Sequence, residues 1–119
     1  MKMITESDLK VLFSADAIQK GIADLGAKLN EVYGQEELYL ICVLKGSVMF
    51  MVDLSKHLKM PLRMEFIRLS SYGSGFASTG RVNAVDISLP DLNAKNVLIV
   101  EDIIDTGLTA KFLIDFMHL

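Results

Sequence analysis

The chain has a single cysteine, two prolines, no tryptophan and no long apolar run. The first and the last of these shortages each exclude a class of protein. One thiol, Cys42, cannot build an intrachain disulfide framework or a cysteine-based metal site. Set inside Leu40-Ile41-Cys42-Val43-Leu44, it reads as a plain buried thiol, because free cysteine is among the most buried residue types. The longest apolar run, Leu38 to Leu44, is far short of the ~20 residues that cross a bilayer. The first residues, Met1-Lys2-Met3-Ile4-Thr5-Glu6-Ser7-Asp8, turn acidic before any apolar stretch forms, which is not a signal-peptide pattern. A reducing, cytoplasmic setting away from membranes is the expectation. Positive charge is also thin: 12 Lys and Arg stand singly against 15 Asp and Glu, for a net charge of -3. A nucleic-acid backbone is normally met by a clustered basic face, so nucleic acid is not an expected partner. Any phosphate bound here should be small.

What is present is core-forming material. Half of the 119 residues are apolar (51%), which excludes disorder, and the length suits one small domain spanning 1–119. After Ser14, a good N-cap, Ile18, Ile22, Leu25, Leu29 and Val32 recur at the spacing of an amphipathic helix that Gly34 is placed to end. Leu38 to Leu44 shows no alternation, as expected of a strand covered on both faces. Val48, Met51, Leu54 and Leu58 fit a second helix that stops before Pro61. Leu62 to Phe66 alternates, but Ile67 and Leu69 fall on the opposite phase, so a bulge near Phe66-Ile67 or burial of both faces is expected. From Ser70 to Gly80, eight of the eleven residues are Ser, Thr or Gly, which reads as a loop. Arg81 to Ser88 reads as a further strand, Pro90-Asp91 as a turn, and Val97 to Val100 as a short apolar strand. A last helix follows Gly107, with Phe112, Leu113, Phe116 and Met117 on its buried face. Strand, turn and helix alternate, so the fold class is α/β with a mostly parallel sheet flanked by helices.

Chemistry concentrates at two strand ends. Glu101, Asp102 and Asp105 follow the Val97 to Val100 strand, and Thr106-Gly107-Leu108-Thr109 then leads into a helix. If that strand is parallel and central, the acids lie in the crevice where open α/β sheets bind ligands, beside backbone N–H groups able to hold a phosphate. Carboxylates repel phosphates, a conflict resolved if the acids face sugar hydroxyls or a Mg²⁺ ion while the N–H groups face the phosphate. The bland alternative is a polar turn capped by Asp105 or Thr106. Lys45-Gly46-Ser47 ends the other buried strand; it is either a plain turn with Ser47 as N-cap or a second anion site. Two such turns on adjacent strands would frame one crevice. His57 and His118 have no partners at metal spacing and read as surface or helix-end residues, and the seven Met residues read mostly as core fill.

The thirteen residues Val97 to Thr109, VLIVEDIIDTGLT, resemble the phosphoribosyl diphosphate (PRPP) binding signature of purine phosphoribosyltransferases, more narrowly the hypoxanthine (hypoxanthine-guanine) type. Leu44-Lys45-Gly46-Ser47 resembles that family's diphosphate-binding turn, and Ser70-Ser71-Tyr72-Gly73 the start of its flexible catalytic loop. The three stand in the family's order and spacing. The resemblance implies a type I phosphoribosyltransferase fold and a purine-salvage enzyme that joins hypoxanthine or guanine to the phosphoribosyl group of PRPP, giving IMP or GMP and diphosphate.

Carried over residue by residue, it implies that Glu101 and Asp102 hold the ribose hydroxyls and Mg²⁺. Asp105 would serve as general base and acid on purine N7, and Asp105, Thr106, Gly107, Leu108 and Thr109 would wrap the 5-phosphate. Lys45 and Gly46 would receive the diphosphate, in relatives often through a non-proline cis peptide before the lysine, and Ser71 and Tyr72 would sit on a closing lid. It further implies a sheet left incomplete at the C-terminus, with the base-recognition part absent; a sheet cut in this way should expose apolar surface and associate, so a homo-oligomer is expected. Other readings are a xanthine or adenine phosphoribosyltransferase, a non-catalytic nucleotide-sensing protein of the same fold, and a receiver-type signalling domain. Only seventeen residues follow Asp102, too few for the downstream parts of a receiver.

Overall fold

A computed structural model describes residues 3–71 and 82–117. Ser14 opens helix α1 (Ala15–Tyr33), its hydroxyl accepting from the Ala17 N–H at 3.1 Å, and the Gly34 N–H closes it on the Asn30 carbonyl. Strand β1 (Leu38–Val43), helix α2 (Val48–Ser55) and strand β2 (Leu62–Ser71) follow, then β3 (Val82–Asp86), β4 (Asn96–Val100) and α3 (Leu108–Phe116). Among the described residues no helix is long and apolar enough to cross a membrane.

The strands form one sheet in the order β3-β2-β1-β4. β1 runs parallel to both β2 and β4, and β3 pairs antiparallel with the far end of β2. The unalternating run of β1 is explained by its place: Leu38, Leu40, Ile41 and Cys42 are fully buried because helices cover both faces. Leu38, Leu40, Cys42 and Val100 pack with Met51 of α2, while Ile41, Val43 and Ile67 pack with Leu113 of α3. Each fully buried aliphatic contributes roughly 1.5–3 kcal/mol relative to exposure.

Several expectations need correction. Neither a bulge at Phe66-Ile67 nor burial of both faces there explains the phase change in β2, for Met64 and Phe66 are 40% and 45% exposed while Ile67 is fully buried on the other side. Leu62 faces the α2 side, Ile67 and Leu69 the α3 side, and the register shift falls later, between Arg68 and Leu69, where β2 leaves β1 for β3. Pairing with β3 also extends β2 through Ser70 and Ser71, residues whose composition reads as loop. β4 is parallel but lies at the edge of the described sheet; β1 is central. The α1 stripe is only partly covered, with Ile22 buried and Val32 exposed, because α1 lies against α2 rather than flat on the sheet. Asn30 fastens it there: its amide donates to the His57 carbonyl at 2.8 Å and its oxygen accepts from the Lys59 N–H at 2.9 Å. On α3, Leu113 is buried as expected, but Phe116 is 47% exposed and stacks on Phe112 at the helix rim. Met51 and Met60 fill core, whereas Met3, Met49 and Met64 are exposed.

Candidate functional site

β1 and β4 are parallel neighbours, yet the chain leaves them toward opposite faces of the sheet. α2 packs on one face and α3 on the other. Divergence of this kind opens a crevice at the carboxyl ends of the two strands, the usual ligand position in an open α/β sheet. Both predicted turns lie there.

The turn after β1 is held at its base and open at its tip. The Leu44 N–H donates to the Ile67 carbonyl at 2.9 Å, tying the turn to β2, and the Val48 N–H donates to the Lys45 carbonyl at 3.2 Å. The Leu44–Lys45 peptide is cis, and Lys45 and Gly46 are exposed. Ser47 stands at the N-cap position of α2 but does not cap it; its side chain turns into the core instead.

The turn after β4 presents the acids. Glu101 is half-buried, and Asp102 and Asp105 are exposed. One carboxylate oxygen of Glu101, Oε2, is buried without a hydrogen-bond partner. Burial first, and the adjacent Asp102 carboxylate second, raise the Glu101 carboxyl above its ordinary value. Asp102 accepts the Ile103 N–H at 3.0 Å. The two turns touch: a Cβ at Gly46 would collide with the Asp102 carboxylate, its Cγ lying only 2.9 Å away. A side chain at position 46 would therefore force the acid across from it to move.

Beyond the acids, Gly107 adopts φ 82 and starts α3, a left-handed conformation that glycine takes without a Cβ penalty. Thr106 Oγ1 accepts the Leu108 N–H at 3.3 Å. Glu101 and residues 103–110 line a cleft of about 80 Å³ at this helix start. That volume accommodates one small group, since pockets for whole drug-sized ligands run to ~300–1,000 Å³. A helix N-terminus with free N–H groups favours an anion of that size. Larger hollows of about 360 Å³, beside Leu89 to Lys95, and 520 Å³, beside α1 and His57, lack this pairing of acids with a helix start.

The structure thus brings Lys45, Gly46, Glu101, Asp102, Asp105, Thr106, Gly107, Leu108 and Thr109 to the ends of two neighbouring strands. It puts Ser71 at the far end of β2 opposite Val82, and Tyr72 lies outside the described residues, as does His118. Ile103 and Ile104, absent from the expected site, are 72% and 73% exposed beside the cleft. Two aliphatics outside any periodic stretch, between acids, were the available signal. Among the described residues no cluster of three or more His, Cys, Asp or Glu could hold a metal, so a cage made by protein alone is not present there.

An acid pair thus stands against a glycine turn, next to an anion-sized helix start at the carboxyl ends of two parallel strands. The chain belongs to the phosphoribosyl transferase domain family, which it matches over residues 10–118. It is 42% identical over 109 residues to the hypoxanthine-guanine phosphoribosyltransferase of Bacillus subtilis, covering 92% of this chain and 61% of that protein. With the enzyme of the same name from Streptococcus pneumoniae it shares 43% identity over 111 residues, covering 92% and 62%. A crystal structure of a hypoxanthine phosphoribosyltransferase from Staphylococcus aureus superposes with a TM-score of 0.84 at 38% identity, covering 92% of this chain and 59% of that one. The chain thus spans about three fifths of the length of the relatives it matches.

Proposed function

We propose that residues 1–119 form the PRPP-binding part of a single phosphoribosyltransferase domain acting in purine salvage. The reaction transfers the 5-phosphoribosyl group of PRPP to hypoxanthine or guanine, releasing diphosphate and giving IMP or GMP. The observation that carries this reading is the close approach of Gly46 to the Asp102 carboxylate, which joins the two turns into one crevice. The names and similarity of the relatives support the substrate class.

In this reading the 5-phosphate occupies the cleft at the start of α3, against the N–H groups of residues 106–109 and the Thr106 and Thr109 hydroxyls. Glu101 and Asp102 accept hydrogen bonds from the ribose hydroxyls. Lys45 and the Gly46 backbone receive the diphosphate. The bond from C1 of the ribose to diphosphate breaks as purine N9 attacks, and Asp105 takes the proton leaving N7 of the purine ring. The exposed Ile103 and Ile104 offer apolar surface for a flat base.

The donor set fits Mg²⁺. Glu101 has a buried oxygen without a partner beside the Asp102 carboxylate, and Mg²⁺ is commonly held by one or two carboxylates together with phosphate and water oxygens. When bound, the ion neutralises charge on the departing diphosphate. The setting proposed is cytoplasmic, with self-association through apolar surface that includes Met64 and Phe66, 40% and 45% exposed.

The test follows PRPP binding by the chain with Mg²⁺, with Lys45→Ala in parallel. Binding by the wild type, weakened ~tenfold or more in the variant, is the expected result. No PRPP binding by a folded chain refutes the site, and binding unchanged in the variant refutes the diphosphate role of Lys45.

A further inference from the structure

Ser47 is the buried polar residue among the described core side chains, with 0% exposure, and neither its helix nor the substrate contacts proposed above account for it. A serine at the start of a helix normally caps it through its hydroxyl. Here the Ser47 side chain makes no cap bond to α2. Its hydroxyl instead donates back across the turn to the carbonyl of Val43, the last residue of β1. The Cys42 sulfur lies 3.2 Å from the Ser47 hydroxyl oxygen. The single hydroxyl hydrogen is committed to Val43, so the Cys42 thiol is the donor in that second contact. The result is a buried chain from the Cys42 thiol through the Ser47 hydroxyl to the Val43 carbonyl, closing a ring around Leu44, Lys45 and Gly46.

The placement matters because of what the ring encloses. Leu44 is anchored to β2 by its N–H, and the Ser47 carbonyl accepts the Met51 N–H at 2.9 Å as α2 begins. Lys45 and Gly46, exposed between these anchors, form the tip that meets ligand, and Gly46 lies against Asp102. A displacement of the tip would therefore be felt both at the diphosphate turn and at the acid. We propose that Ser47 is a positioning residue: its buried hydroxyl, bonded to Val43 and Cys42, fixes the Lys45-Gly46 tip for the diphosphate end of the ligand. The inference rests on the PRPP reading of the site.

The test compares two ligands on the full chain under thiol reductant with Mg²⁺: PRPP, which carries the diphosphate, and ribose 5-phosphate, which has the same sugar and 5-phosphate without it. Ser47→Ala removes the hydroxyl. Ser47→Cys keeps the side-chain branching with a larger atom and a weaker donor, and serves where the alanine variant does not fold. Both variants should weaken PRPP binding about tenfold, the equivalent of one lost hydrogen bond, and leave ribose 5-phosphate within about twofold. A merely structural serine would move the two affinities together or move neither. If the wild type binds both ligands and the folded variants weaken them equally, or not at all, the positioning role is overturned while the site stands. A wild type that binds neither overturns the site and this role with it.

Discussion

Replacing Gly46 with alanine should change sign according to what stands across from it. In the wild type the new Cβ meets the Asp102 carboxylate, with Cγ at 2.9 Å. Asp102 is exposed, so it swings aside, giving up its bond to the Ile103 N–H at 3.0 Å. A lost exposed hydrogen bond costs ~0.5–1.5 kcal/mol and an off-rotamer side chain about as much again. Against this, Gly46 does not lie in the left-handed region, so alanine there stabilises by ~0.4–1 kcal/mol through the unfolded chain. The net is a loss on the order of 1 kcal/mol, a fall in Tm of roughly 3–6 °C. In an Asp102→Ala background the collision is gone, and the same substitution should raise Tm. Thermal unfolding of the four chains without ligand closes the double-mutant cycle, with an expected coupling of ~1–2 kcal/mol. Equal effects of Gly46→Ala in both backgrounds would refute the interlock of the two turns.

Three further perturbations read other parts of the molecule. Ala94 is exposed at φ 56, a left-handed conformation that costs an L residue ~1–2 kcal/mol; Ala94→Gly should therefore raise Tm by a few degrees, and a fall would contradict the backbone assignment. Leu113 is fully buried against the sheet beneath the cleft, so Leu113→Ala should cost ~2–5 kcal/mol in denaturant unfolding, and a loss below ~1 kcal/mol would deny α3 its docking. Glu101 has a carboxyl raised by burial and by Asp102, so the folded chain holds that proton more tightly than the unfolded one. Its contribution to stability is present below the ordinary glutamate range and is lost as pH rises through the raised value. The Tm of Glu101→Gln relative to wild type should therefore climb from about pH 4 toward neutrality, and a difference independent of pH would contradict the burial of that carboxylate.

The parts legible in the sequence were those where one residue's chemistry decides the local outcome. β1 announced itself because burial on both faces demands apolar residues at every position, Leu38 to Val43. Ser14 and Gly34 bounded α1 through capping, and Gly46 and Gly107 stood where a close approach and a positive φ favour glycine. What stayed hidden depends on neighbours distant in the chain. Ser47 has the composition of a helix cap, and only the position of Cys42 and Val43 beneath it turns its side chain inward. Ser70 and Ser71 read as loop and become strand because β3 offers them partners. The apolar stripe of α1 and Phe116 of α3 signalled burial, yet how much of a helix face is covered is set by what packs on it. Periodicity carries the face and leaves the partner unspecified. The functional signature behaved differently again: residues 97–109 were readable as a motif, while their contact with the Lys45-Gly46 turn is a property of the parallel pairing of β1 with β4.

Binding of PRPP at the junction of those two turns is the point on which everything else depends. It is measured by titrating PRPP into the chain with and without Mg²⁺ while following thermal unfolding, alongside a Thr106→Ala, Thr109→Ala double variant. Saturating ligand at about 100 times Kd should stabilise the wild type by ~2.7 kcal/mol, more tightly with Mg²⁺ than without, and the double variant should lose most of that shift. No shift in the folded wild type, or equal shifts in the two proteins, would contradict a PRPP site at residues 101–109.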